Sequence, residues 1–172
     1  MGIRDCEVDE APAVCGIYNH YVERSVATFE VSPIDPADME ERIRATTARY
    51  PWLVYVDADK VIGYAYATPW KPRAAYGQTV ESTVYVADEA CGRGVGAELM
   101  LALLKRLAEQ DVHAVLAGIA LPNEASVRTH EKLGFFQVAH FRQTGRKFDR
   151  WIDIGYWQRI LEDLPGELSG QI

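Results

Sequence analysis

Hydrophobic positions recur along the chain in two periods, and the switches between them mark out the elements. Residues 2–8 read as a short strand. From Asp9, read as a cap, Val14, Ile17, Tyr18 and Tyr21 recur at helical spacing, which predicts a helix to about Tyr21. RSVATFEVSP is a loop. Asp35-Pro36 opens a second helix, an N-cap followed by proline at the first helical position, with Met39, Ile43 and Thr46/Thr47 on one face toward Tyr50. WLVYVD and KVIGYAYAT, separated by a polar turn at Ala58-Asp59, predict a hairpin, and TVESTVYVA is a third run of the same kind after the loop PWKPRAAYGQ.

The second half reads differently. DEACGRGVG leads into AELMLALLKRLAEQ, where Leu99, Met100, Leu103, Leu104 and Leu107 make one wide apolar stripe. A strand follows at HAVLAGIA, then a short helix over 123–133, then FFQVAHFRQTG and RWIDIGYWQRI as two final strands, the last a core strand with Trp151 and Trp157 on one face. Hairpins first and a strand-helix-strand crossover later predict a mixed α/β (α+β) fold. With no repeat, low-complexity tract or linker, residues 1–172 are expected to form a single domain.

Composition narrows the function classes. A chain of 172 residues, 48% hydrophobic and 25% charged, buries roughly 70% of its unfolded surface and needs neither disulfide nor structural metal to fold. Its net charge of -7 is scattered, which argues against a nucleic-acid partner, since that affinity depends on clustered cations. No run approaches the ~18 apolar residues of a membrane span, and MGIRDCEVDE lacks the layout of a signal peptide, so a cytoplasmic protein away from membranes is expected. Cys6, Cys15 and Cys91 are odd in number and lack metal-ligand spacing, so no metal is expected, and Cys15 reads as a buried small hydrophobe.

Candidate chemistry gathers at Cys91-Gly92-Arg93-Gly94-Val95-Gly96, between a strand and a long apolar helix. Alternate glycines let the backbone turn tightly with its N–H groups exposed, and the helix N-terminus adds partial positive charge, so the segment suits a phosphate. A tight strand-to-helix connection explains it too. The P-loop pattern fails for want of a Gly-Lys-Ser/Thr. Gly92-x-Gly94-x-x-Ala97 matches the looser dinucleotide fingerprint, but hairpins and helices precede it, and the next strand ends in Gly118-Ile119-Ala120-Leu121 without the acidic residue.

The segment resembles the acetyl-CoA loop of the GNAT superfamily of N-acetyltransferases, which reads Arg/Gln-x-x-Gly-x-Gly. Asn123-Glu124-Ala125-Ser126 and Glu131-Lys132-Leu133-Gly134-Phe135 resemble that family's later N-x-x-[AS] and E-K-x-G-F segments. Cys91 departs from the pattern, and Arg93 is the cation at hand. Ile17-Tyr18-Asn19-His20-Tyr21-Val22, Ala27-Thr28-Phe29-Glu30, Thr79 through Val86, His130 through Phe135 and Lys147-Phe148-Asp149-Arg150-Trp151-Ile152-Asp153 look like the branch that acetylates phosphinothricin and methionine sulfoximine or sulfone. That branch is similar in carrying His at 130, where other members carry tyrosine.

The resemblance implies a mostly antiparallel sheet flanked by helices, acetyl-CoA bound between the fourth strand and the next helix, and N-acetylation of a small amino-acid-like acceptor. It places the cofactor on Val84, Val86, Gly92, Arg93, Gly94, Val95, Gly96, Asn123 and Ser126, with a backbone N–H near Val86 facing the thioester oxygen. Glu81 is the candidate base for the amine, and a solvated strand residue is its other reading. His130 is placed to protonate the leaving thiolate, or is a hydrogen-bonded core residue. For the acceptor, Arg73 offers a planar fork to a carboxylate, beside Lys71 and Tyr76, while Phe29 and Glu30 wall the site. Lys147, with Phe148 and Trp151, would border a partner's site in a homodimer. Acetylation of protein amines, and a non-catalytic acyl-CoA sensor, remain as alternatives.

Overall fold

The computed structural model describes residues 1–161. In chain order these form β1 (Gly2–Asp5), α1 (Ala11–Arg24), α2 (Pro36–Thr47), β2 (Trp52–Asp57), β3 (Lys60–Pro69), β4 (Thr79–Val86), α3 (Val95–Ala108), β5 (Ala114–Leu121), α4 (Glu124–Lys132), β6 (Phe136–Lys147) and β7 (Arg150–Ile160). The expected order of elements is present, with local differences. β1 stops at Asp5 because Val8–Glu10 turns into a 3-10 helix closed by a reciprocal Glu7–Glu10 capping box. Asp9 lies inside that turn and does not cap α1, which runs on to Arg24. At α2 the Asp35 carboxylate accepts the Asp38 N–H at 2.9 Å, as the Asp-Pro start predicts.

The strands make one sheet in the order β1-β2-β3-β4-β5-β7-β6, antiparallel throughout except between β4 and β5. β2 is buried on both faces, which is why it reads as an unbroken apolar run. Leu53 and Tyr55 point toward α3, and Trp52 and Val54 toward α1 and α2. On the first face the α3 stripe of Leu99, Met100, Leu103, Leu104 and Leu107 is fully buried. On the second, Val14, Val22, Met39 and Ile43 cover Trp52, whose ring stacks on Tyr66 at 4.0 Å and 7°. In β7, Trp157 is core as expected. Trp151 is not: it pairs with Arg146 next to the turn between β6 and β7 and is 59% exposed. Cys15 is buried.

The feature that positions the site is the β4–β5 pair. It holds only from Thr79↔Ala114 to Glu81↔Leu116, where the Ser82 hydroxyl donates to the Leu116 carbonyl at 3.1 Å. Beyond that fork β4 stays with β3 as far as Gly63↔Val86, and β5 stays with β7 as far as Leu121↔Asp153. The sheet therefore opens into a wedge.

Among the described residues no helix is long and apolar enough to cross a membrane. The core assignment is tested at α3. Leu103→Ala should lower unfolding stability by about 2–5 kcal/mol in denaturant titration, because a fully buried leucine leaves a cavity.

Candidate active site

A cleft of about 980 Å³ fills the wedge, floored by β4 and β5 and walled by the first turn of α3, by α4 and by residues 25–29. At its α3 end Gly92 and Gly94 take φ of +77° and +86°, left-handed conformations that favour glycine. The first intrahelical donor of α3 is the Glu98 N–H, which reaches the Gly94 carbonyl at 3.1 Å. The amides of Val95, Gly96 and Ala97 precede it, so no carbonyl within the helix is available to them, and they lie in the cleft wall. With the helix dipole behind them they suit phosphate. Gly96 packs against β4, where a Cβ would lie in contact with Val86 Cγ2 at 3.4 Å.

The Ala87 N–H donates to the Ile62 carbonyl on the β3 side. Strand alternation turns the backbone groups of Val86 and Val84 the other way, into the cleft. The Tyr21 hydroxyl confirms that direction by donating to the Val86 carbonyl at 2.7 Å, with Cys91 Sγ 3.9 Å from the same hydroxyl.

Glu81 stands at the fork, half-buried in the cleft. A Cβ on Gly118 of β5 would lie 3.0 Å from Glu81 Oε1 and 3.3 Å from the Tyr156 ring, so both side chains occupy the space that this glycine leaves. Burial raises the Glu81 carboxyl above its ordinary value. The Tyr156 hydroxyl, donating to it, and the charge of Lys71 pull it back down. Burial and the neighbouring carboxylate raise Tyr156 in turn, so it stays a donor at neutral pH. Trp70 braces Tyr156 edge-on at 5.2 Å.

On α4 the Asn123 side chain accepts the Ser126 N–H at 3.1 Å and caps the helix, with both residues in the cleft wall. His130 is buried, its Nδ1 2.8 Å from the Ser126 carbonyl and its ring edge-on to Phe135. A carbonyl only accepts, so Nδ1 carries the hydrogen. Burial lowers the imidazole pKa, with the Ser126 contact opposing, and a neutral ring leaves the Nε2 lone pair as its acceptor.

Phe29 lines the cleft as expected, but several other expected residues do not. The Arg93 guanidinium turns to Asp57 at 2.9 Å, and the cations in the cleft wall are Arg128 and Lys132 of α4. Glu30 turns to Arg42 at 2.7 Å. Arg73 and Tyr76 lie on the exposed 3-10 turn after β3, and it is Lys71 whose charge reaches Glu81. Lys147 is buried, its ammonium donating to the Thr28 carbonyl at 2.9 Å and toward the Tyr21 carbonyl at 3.4 Å, so it ties β6 to the 25–35 loop. Burial lowers its pKa against the field of Glu30. Sequence reading missed Gly118 and Tyr156. The signal was present in HAVLAGIA, where a glycine inside an apolar strand marks close approach.

Residues 12–155 match the family model described as an acetyltransferase (GNAT) domain, and the chain belongs to that family. It is 44% identical over 163 residues to a phosphinothricin N-acetyltransferase of Streptomyces viridochromogenes, spanning 95% of this chain and 88% of the relative. It is 38% identical over 163 residues to an L-methionine sulfoximine/L-methionine sulfone acetyltransferase of Pseudomonas aeruginosa, spanning 93% and 94%. The crystal structure of a GNAT superfamily phosphinothricin acetyltransferase from Sinorhizobium meliloti in complex with acetyl-CoA matches with a TM-score of 0.90 at 34% identity, covering 92% of this chain and 87% of that one. The chain is therefore an acetyl-CoA-dependent N-acetyltransferase.

The cleft fits that co-substrate on its own terms, with amide donors and Lys132 of α4 for phosphates, Arg128 being paired with Glu124 at 3.0 Å, and inward-facing β4 backbone groups for a carbonyl. Gly96→Leu should fold normally and weaken acetyl-CoA binding at least tenfold in calorimetry, since a leucine side chain there adds bulk to the cleft wall beside Val86. Unchanged affinity would move the cofactor site elsewhere.

Proposed function

We propose that the enzyme acetylates the α-amine of a small amino-acid-like acceptor of the phosphinothricin or methionine sulfoximine/sulfone type by direct attack on the thioester. The observation that carries this is Glu81, a carboxylate held half-buried at the fork of the same cleft that carries the glycine cradle. An α-amine is mostly protonated at neutral pH, and a carboxylate of raised pKa is the better base for it. As the amine adds, the thioester oxygen gains charge, and the inward N–H groups of Val86 and Val84 are its donors. The proton leaves by way of Glu81, directly or through water, and the tetrahedral intermediate collapses with cleavage of the C–S bond, CoA departing as its thiolate. His130, neutral and donating to the Ser126 carbonyl, suits an acceptor of a proton better than the thiolate acid first expected of it. Lys71, whose charge reaches Glu81, is a better candidate than Arg73 to receive the acceptor's carboxylate, and the names of the relatives support that class of acceptor.

Residues 1–172 acting as one domain and a homodimer belong to the same proposal. The dimer is supported by the exposed Phe136, Val138, Phe141, Phe148 and Trp151 on the final hairpin, more apolar surface than a lone strand pair ordinarily leaves in water. Three free cysteines suit the reducing cytoplasm.

The experiment is thiol release over a panel of amino acids and these analogues, with Glu81→Gln beside the parent. The parent should turn over at least one acceptor, and the variant should lose ~10²-fold in kcat at pH 7, with the deficit shrinking as pH rises and the amine deprotonates unaided. The melting temperature should move the other way. Because the folded-state pKa of Glu81 is raised, ionising it at pH 7 costs stability, and glutamine removes that cost. Parental activity of the variant across pH 6–9 would remove Glu81 from the mechanism, and acetyl-CoA binding without turnover of any acceptor would favour a sensor.

A further inference from the structure

The loop that carries Phe29 into the cleft is held from several sides. The Tyr18 and Thr28 hydroxyls meet at 2.8 Å, Arg42 holds Glu30 at 2.7 Å, and Lys147 donates to the Thr28 carbonyl at 2.9 Å. These contacts hold the residues on either side of Phe29, and none of them involves its ring. The ring lies against Gly145 of β6. A Cβ built on Gly145 would fall 2.3, 2.4 and 2.8 Å from three carbons of that ring, closer than real Cβ atoms come to anything. Gly145 has no left-handed φ, so its backbone tolerates any residue, and it pairs regularly with Ile152. The three atoms nearest to that Cβ all belong to the ring. It also sits just after an irregularity of β6, where the register slips between Phe141 and Gly145 and Asp153 holds the excursion by accepting the Gln143 N–H at 2.9 Å and contacting His140 at 2.8 Å.

We infer that Gly145 is a positioning residue for acceptor recognition: the space left by its missing side chain seats the Phe29 ring and so sets the width of the acceptor end of the cleft. This rests on the acceptor reading given above. Phe29 is 38% exposed and can swing, so a side chain at 145 should displace the ring and leave the sheet intact. A change at 145 would then act on the acceptor through Phe29, with the cofactor end of the cleft unaffected.

The test is a double-mutant cycle with Gly145→Ala and Phe29→Ala, reading KM for acceptor and for acetyl-CoA separately. With Phe29 present, Gly145→Ala should raise the acceptor KM fivefold or more and change the acetyl-CoA KM less than twofold. In the Phe29→Ala background the same substitution should change the acceptor KM less than twofold, since the ring it displaces is gone. Equal effects in the two backgrounds, or no effect with Phe29 present, overturn the inference. Should Gly145→Ala fail to fold, the double variant must fold, and its failure would also overturn it. Should the parent turn over no amino-acid acceptor, the functional reading falls by itself, and the coupling is decided by fluorine NMR of protein carrying 4-fluorophenylalanine. The resonance lost in Phe29→Ala must then shift in Gly145→Ala, and an unmoved resonance overturns the inference.

Discussion

The short parallel contact between β4 and β5 is the constraint from which the rest of the site follows. Each strand is committed to an antiparallel partner over its whole length, β4 to β3 and β5 to β7, and only Thr79–Glu81 can also reach across. Past Glu81 one edge of β4 has no strand beside it, and backbone donors and acceptors away from bulk water must find other partners. Two of the parting edges' carbonyls are met by side chains, Leu116 by Ser82 and Val86 by Tyr21. What remains is a strand edge aimed into a cleft, a place where an extended polar ligand gains more than it would on a closed sheet.

The same fork explains the state of Glu81. At the last residue pair before the strands part, its side chain enters a narrowing space in which water is already partly excluded. The protein could have relieved the desolvation with a close cation, as it does for Glu10 with Arg4 at 2.6 Å. It supplies instead a neutral phenol, Tyr156, and the more remote charge of Lys71, which leave the pKa above the ordinary carboxylate value. A tightly ion-paired glutamate would be more stable and a poorer base. The arrangement gives up stability for a carboxyl of raised pKa, the state that the proposed role of Glu81 calls for, and Gly118 makes the room for it.

Much of the fold was legible because its elements carry local signals: the α3 stripe, the Asp35-Pro36 start and the apolar runs of β2, β3 and β4. The glycine cradle was legible in its turn chemistry and Glu81 in its place on the strand that leads to it, whereas Phe29, Val84 and Val86 were named by resemblance to the family, and all of them line the cleft. The illegible parts depend on partners far along the chain. Arg93 reads as a cleft cation until Asp57, 36 residues earlier in sequence, claims it. Lys147 reads as a ligand until the carbonyls of Tyr21 and Thr28 bury it, and Glu30 reads as a wall until Arg42 takes it. Conversely, Arg128 looks like half of an i,i+4 surface pair with Glu124, and nothing local announces that one side of α4 faces a cleft.

A division of labour runs along the cleft. At the α3 end the ligand-facing groups are main-chain amides placed by left-handed glycines and a helix terminus, which most substitutions leave in position. At the other end the wall is made of side chains, Phe29, Glu81 and Tyr156, seated against glycines at 145 and 118 whose neighbours fill the vacated space. Backbone groups respond little to sequence change, whereas a seat made by a missing Cβ is lost or reshaped by a single substitution. Use of acetyl-CoA is thus the robust property of this fold and acceptor choice the adjustable one. On the inference drawn above, Gly145 adjusts it from outside the cleft lining, because the position of an aromatic wall is set as much by the room behind it as by the ring itself.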